Sequence, residues 1–291
     1  MKLLDGITYS HEHVKIDLSG IKKNEDCRLD TFNETIEEFK ELKSKGVANI
    51  IEVTNRGIGR DIEYIDKVAK ESGLNILCST GYYKEPFLPK EAYDLDEVGL
   101  SRIMIDEIIN GIEGSNIKAS IIGEVGTSVN VITPMEEKIF KASSRAHVDT
   151  GAPIITHTSL GTMGIEQLKI FESYGIDLDK VILSHVDLTG DLDYILSLID
   201  RGCNVAFDTI GKENYQPDGL RIDLLYELCK RGLSEKILMS MDITRKSNLK
   251  SRGGIGYAYE LDVFIPRLLE RGVKQLHIDN MTKSNIVRIL K

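Results

Sequence analysis

Short runs dense in β-branched and aliphatic residues recur along the chain, each followed by a longer stretch in which apolar positions return every three or four residues. The runs are Ile7–His13, Val47–Thr54, Leu74–Thr80, Ala119–Val125, Pro153–His157, Val181–His185, Cys203–Asp208 and Ile237–Asp242. Most are almost continuously apolar, as expected of strands buried on both faces of a parallel sheet. The stretches between them have helical period. Over Thr35–Lys45, the residues Ile36, Phe39 and Leu42 share one face, and Glu37, Glu38 and Lys40 lie opposite. Ile62, Ile65, Val68 and Ala69 repeat the pattern, as do Ile103, Ile108 and Ile112; it returns over 135–149, 164–174, 192–199, 222–231 and 259–271. Gly46, Gly73, Gly175, Gly202, Gly232 and Gly272 stand where a helix should stop and the next strand begin.

Eight strand–helix units with no Pro/Ser-rich linker between halves predict an α/β chain folded as one (β/α)8 TIM barrel over residues 1–291. The alternative is an open doubly wound sheet. Its GxGxxG fingerprint is absent, because Gly57-Ile58-Gly59 lacks the third glycine.

Composition narrows the function. The 291 residues are 41% hydrophobic and 29% charged, which excludes a disordered or low-complexity chain. Acidic residues outnumber basic ones 46 to 37, for a net charge of -9, so nucleic acid and anionic membranes are not expected partners. Cys27, Cys78, Cys203 and Cys229 form no CxxC pair and read as buried thiols in a reducing compartment. No apolar stretch approaches the roughly 18 residues that span a bilayer. Met1–Gly6 reaches an acid and a glycine before any signal-peptide apolar region could form. These features predict a cytoplasmic protein that acts on a small molecule; a homodimer is compatible with them.

The chemistry gathers at predicted C-terminal strand ends, where a barrel of this kind carries its active site. His11-Glu12-His13 ends the first strand, Glu124 lies in the fourth, and His157, His185 and Asp242 end the fifth, sixth and eighth. Four of the six histidines fall at such positions; His147 and His277 fall on predicted helices and loops. His11 and His13 are two apart on a strand and point the same way, so Glu12 points away, toward the helix layer. Four imidazoles and two carboxylates suit zinc first, with manganese, cobalt or nickel as alternatives. Six ligands exceed what one tetrahedral ion uses and fit two ions about 3.5–4 Å apart with a shared carboxylate. No Gly-x-Ser-x-Gly elbow is present, so a serine nucleophile is not expected.

Ser10-His11-Glu12-His13-Val14, Gly123-Glu124-Val125-Gly126-Thr127-Ser128, Thr156-His157-Thr158, Ser184-His185-Val186-Asp187 and Ser240-Met241-Asp242 resemble the metal motifs of the phosphotriesterase family within the amidohydrolase superfamily. Segments such as Asp26-Cys27-Arg28-Leu29-Asp30 and Phe207-Asp208-Thr209-Ile210-Gly211-Lys212 resemble one bacterial subgroup of it. The resemblance implies that His11, His13 and Asp242 bind a buried metal and that His157 and His185 bind a more exposed one. It implies that Glu124 bridges them, where many relatives use a carboxylated lysine, and that Asp242 takes a proton from the attacking water. Organophosphate-cleaving relatives carry a proton-shuttling aspartate and histidine where this chain aligns Leu188 and Thr209, and lactone-cleaving relatives carry an arginine at the latter position.

The expected activity is therefore that of a binuclear metal-dependent hydrolase of a small ester, lactone or phosphoester. The alternatives are a metal-dependent deoxyribonuclease-like barrel, a lactonase with little or no phosphotriesterase activity, and a non-catalytic metal-binding protein. Tyr82, Tyr83, Lys212 and Arg245 are further candidates for touching the substrate. Gly253-Gly254-Ile255-Gly256-Tyr257 reads as a flexible loop able to act as a lid.

Overall fold

In a computed structural model, residues 2–291 are described; Met1, the first residue of the predicted domain, lies outside them. All eight predicted strands form: β1 (Ile7–Glu12), β2 (Val47–Glu52), β3 (Asn75–Thr80), β4 (Ile121–Thr127), β5 (Ile154–Thr158), β6 (Val181–Ser184), β7 (Asn204–Phe207) and β8 (Ile237–Met239). They pair in chain order, each parallel to the next. The helices α1 (Phe32–Ser44), α2 (Ile62–Ser72), α3 (Glu97–Ile109), α4 (Pro134–Thr150), α5 (Gly164–Ser173), α6 (Leu192–Ile199) and α7 (Asp218–Lys230) fill the connections, and α8 (Ile265–Arg271) follows β8. Local chemistry sets their starts. The Asp61 carboxylate accepts the Tyr64 amide at the head of α2, and Thr133 and Glu136 form a reciprocal capping box on α4. The six predicted stop glycines all have positive φ.

Alternation along the strands sorts the core into two layers. Ile51, Val53, Leu77, Ile121, Ile155, Ile182, Ala206 and Leu238 form one cluster lining the barrel interior, with one side chain from each of β3 to β8, two at the end of β2 and none from β1. Their neighbours, among them Ile50, Ile76, Ile122, Ile154, Val205 and Ile237, face outward to the helices and join the larger cluster. Ile286 and Ile289 pack into the interior cluster. They belong to the run Gln275–Asp279, Asn280–Ser284 and Asn285–Ile289. This run escapes a periodicity reading because its α-helical pieces are single turns interrupted by a π-helical one.

The sheet closes without a ladder between β8 and β1. Ser10 Oγ donates to the Met239 carbonyl (3.2 Å), the His11 amide donates to Ser240 Oγ (3.1 Å), and the Asp242 amide donates to the His11 carbonyl (3.3 Å). The eighth strand is thus shorter than the predicted 237–242, since residues 240–242 leave the strand and bend across the seam. Ile112 also falls outside α3, in a short 3-10 turn. Among the described residues no helix is long and apolar enough to cross a membrane. All four cysteines are free and buried; burial pushes the Cys78 and Cys203 thiols up to about 12.

Candidate metal centre

A cavity of about 600 Å³ opens at the C-terminal ends of the strands. The strand ends that feed it are irregular. β1 slips against β2 between Tyr9 and Glu12, and β4 slips against β5 between Ile122 and Val125. Such bulges re-aim side chains at barrel rims. Gly123 makes the second one possible: its φ is +130°, and a Cβ there would sit 2.0 Å from the Ile155 carbonyl oxygen. Glu124 follows directly and turns its carboxylate into the ring of histidines.

Glu124 lies at the centre of the set. Its Oε2 is 3.1 Å from His157 Nδ1, 3.6 Å from His11 Nε2 and 3.7 Å from His185 Nε2. Its Oε1 is 3.5 Å from His13 Nε2. Asp242 closes the other side, with Oδ1 3.3 Å from His13 Nε2 and 3.7 Å from His11 Nε2. Two groups of donor atoms are close enough to share an ion: His11 with His13 and Asp242, and His11 with Glu124 and His185. Burial alone would raise both carboxyls. Contacts with His157 and His185 outweigh it at Glu124, and the Lys212 charge and His13 outweigh it at Asp242, so both stay well below the usual carboxylate range. Burial and the neighbouring His185 lower His157 to about 4. Metal ligands must be deprotonated, which suits Glu124, Asp242 and His157. At His13 and His185 burial favours the neutral ring, but Asp242 beside the first and Asp208 beside the second outweigh it and raise both, so a metal would displace their protons on binding.

The outer faces of the imidazoles are held too. Asp208, just past β7, accepts from both the backbone amide (2.8 Å) and Nδ1 (2.7 Å) of His185, and its other oxygen lies 3.2 Å from His11 Nδ1. Ser184 Oγ is 3.0 Å from His11 Nδ1, and Thr54 Oγ1 is 2.7 Å from His13 Nδ1. These contacts leave Nε2 of His11, His13 and His185 turned inward. Two of the expected ligands, His185 and Asp242, have positive φ (61° and 48°), a region non-glycine residues rarely adopt. Asp208 fixes the first by gripping its amide. Glu12 fixes the second: its carboxylate accepts from Ser240 Oγ (2.7 Å) and from the amides of Met241 (2.7 Å), Asp242 (3.3 Å) and Ile243 (3.1 Å). Glu12 therefore points away from the cavity as expected, but across the seam to the segment after β8 rather than to the helix layer. Asp208 sits at a C-terminal strand end like the ligands, and that position was the available signal for it. Asp208→Asn should weaken metal affinity about 10–100-fold, the usual effect of losing a carboxylate behind a ligating histidine; equilibrium dialysis against zinc measures it, and an unchanged affinity would show the contact to be incidental.

The other candidates separate. Tyr83 lines the cavity with its Oη 3.2 Å from His157 Nε2. Tyr82 does not reach the cavity: its neighbour in an extended segment faces the opposite way, and its hydroxyl donates to Glu91 (3.1 Å) beneath the rim. Lys212 lines the cavity, paired to Asp242 Oδ2. Arg245 lines it as well, 3.6 Å from Asp26. Leu188 and Thr209 face it, with the Thr209 hydroxyl donating to Asp187. The glycine-rich 253–257 segment is not a lid. Gly254 and Gly256 amides donate to the Leu249 and Asn248 carbonyls, and Tyr257 is fully buried with its hydroxyl on the His13 carbonyl (2.7 Å). Lys84, which has no distinguishing motif in the sequence, lines the cavity too. A larger cavity of about 770 Å³ elsewhere has no histidine in its wall, and its charges pair with one another, as in Lys15–Asp61 (2.6 Å) and Arg28–Asp30 (2.8 Å).

The residues fit a bound cation on one further observation. Nε2 of His11 and Nε2 of His13 are buried and have no hydrogen-bond partner among the described residues. A buried ring nitrogen without a partner is costly, and a cation between these atoms and the two carboxylates would satisfy both. The phosphotriesterase family pattern matches residues 3–290. The chain belongs to the phosphotriesterase family. It is 48% identical to the phosphotriesterase homology protein of Escherichia coli over 96% of either chain, and that protein's crystal structure, with phosphate in its active site, superimposes with a TM-score of 0.96 over 98% of this chain and 99% of that one. The N-acetyltaurine hydrolase of Dictyostelium discoideum is 34% identical over 92% of this chain and 76% of its own. A lactonase of Listeria monocytogenes is 28% identical with a TM-score of 0.93, over 98% of this chain and 94% of that one. The chain is thus a hydrolase of the phosphotriesterase type, from a metal-dependent family, with grouped donor residues suited to metal.

Proposed function

We propose that this chain, as one domain over residues 1–291, is a binuclear metal-dependent hydrolase of a small ester, lactone or phosphoester. The supporting observation is the two-sided Glu124 carboxylate, one oxygen toward His13 and the other toward His11, His157 and His185. His11, His13 and Asp242 would hold a buried ion, His157 and His185 a more exposed one, and Glu124 would bridge them; zinc suits the nitrogen-rich set best. When bound, a pair of divalent cations supplies Lewis acidity and a water able to lose its proton near neutral pH. Asp242 accepts that proton at its carboxylate and passes it to the leaving group. Lys212 steadies Asp242 Oδ2, while Tyr83 and Arg245 border the substrate from the cavity wall.

Phosphotriesters are disfavoured, because Thr209 is engaged with Asp187 and Leu188 is apolar, leaving no acid–imidazole shuttle there; the same Thr209 stands where lactone-cleaving relatives carry an arginine, so other small esters are favoured over lactones too. A nucleic-acid substrate is disfavoured by the net charge of -9. The cytoplasm suits its four unpaired thiols. Protein loaded with zinc and desalted should carry close to two ions per chain by elemental analysis. One ion or fewer in folded protein would overturn the binuclear centre.

A further inference from the structure

Four cations stand in the cavity wall: Lys22, Lys84, Lys212 and Arg245. Two have acids beside them, Asp242 for Lys212 and Asp26 for Arg245. Lys84 has none. Among the described residues no carboxylate oxygen lies within 4.0 Å of its Nζ, and its hydrogen bond is to its neighbour's backbone, the Glu85 carbonyl, at 3.4 Å. Lys22 likewise has no acidic partner among the described residues.

The position of Lys84 is built rather than incidental. Its stem lies over Gly126 on β4, where an added Cβ would stand 3.1 Å from Lys84 Cβ and 3.3 Å from both Lys84 Cδ and His157 Cβ. Its ammonium sits 5.8 Å from the Tyr83 ring centre and 5.9 Å from that of Phe87. The Tyr83 ring in turn meets the His157 ring at 4.8 Å. A half-buried cation is thus held one aromatic ring away from the expected ligands. Burial keeps its ammonium below the usual lysine range, against the opposing pull of Glu136 and Glu124. Charge taken out of water without a partner is unfavourable, so a bound anion would recover what folding gives up here.

We propose that Lys84, supported by Lys22, forms a subsite for an anionic group (carboxylate, phosphate or sulfonate) carried by the substrate at a distance from the bond that is cleaved. The proposal rests on the hydrolase reading above and narrows its substrate class. The test uses the mono-4-nitrophenyl esters of glutaric and glutaramic acid, which differ in one terminal charge, on the zinc-loaded protein. The ratio of kcat/KM, acid over amide, should fall about tenfold in Lys84→Met and be kept in Lys84→Arg. A ratio that moves less than twofold in Lys84→Met would overturn the subsite. If neither ester is cleaved, the ester-hydrolase reading fails separately, and melting of the metal-free protein decides the subsite. Glutarate should then raise Tm more than glutaramide does, and Lys84→Met should lose the difference. No such difference in the wild type, or one retained in Lys84→Met, would overturn it.

Discussion

Asp242→Asn should lower turnover by at least about a hundredfold, the lower range for removing a positioned general base. Asparagine keeps the size of the side chain and one oxygen toward His13 Nε2, 3.3 Å away in the native site. It loses the proton acceptor and one negative charge, and it leaves the Lys212 ammonium without its carboxylate. The surrounding support survives the change, because Glu12 grips the backbone amides of 241–243 rather than the Asp242 side chain. The variant should therefore fold, and its metal content, measured beside kcat, separates a lost base from a lost ligand. Near-normal turnover on any substrate that the wild type cleaves would show that Asp242 is not the proton acceptor.

Glu124→Ala should release at least one ion. The carboxylate is the group that faces both halves of the site, so its loss leaves two cations opposed with no shared anion between them. Even unit charges 4 Å apart repel by about 4 kcal/mol at an effective dielectric of about 20, and divalent ions repel more. A glutamate bridge also needs no carbon dioxide. Activity recovered after chelation and reloading should be the same with and without bicarbonate, whereas a carbamate bridge must be rebuilt. Two ions retained by a folded Glu124→Ala variant would refute the bridge, and a bicarbonate requirement would point to another bridging group.

Most of the scaffold could be read from the chain because buried parallel strands leave continuous apolar runs, and each of the eight runs became a strand. The six metal-ligand candidates were legible for a related reason: a strand end in this architecture is also a place in space, so His11, His13, Glu124, His157, His185 and Asp242 converge by topology. What stayed hidden depends on contacts between distant segments. That Glu12 reaches 228–231 residues along the chain to hold the loop after β8 has no local signature. Neither does the double grip of Asp208 on His11 and His185. Tyr82 and Tyr83 look equivalent in sequence, and only the pleat decides which one meets the cavity. The glycines of 253–257 suggest freedom, yet Gly254 and Gly256 serve close packing: a Cβ on Gly254 would fall 2.2 Å from the Ser247 carbonyl oxygen, and one on Gly256 2.4 Å from Lys250 Cγ.

The unlaced seam between β1 and β8 has a consequence for how the protein is born. Asp242 lies 231 and 229 residues after the candidate ligands His11 and His13, so it leaves the ribosome well after them. At synthesis rates of about 5–20 residues per second, the interval between them is roughly 10–50 s. Throughout that time the nascent chain exposes a pair of histidines with no carboxylate from the eighth strand to complete their group. No nascent chain that stops short of residue 242 holds the full candidate donor set, so the proposed centre is finished only when two segments far apart in sequence meet across the seam.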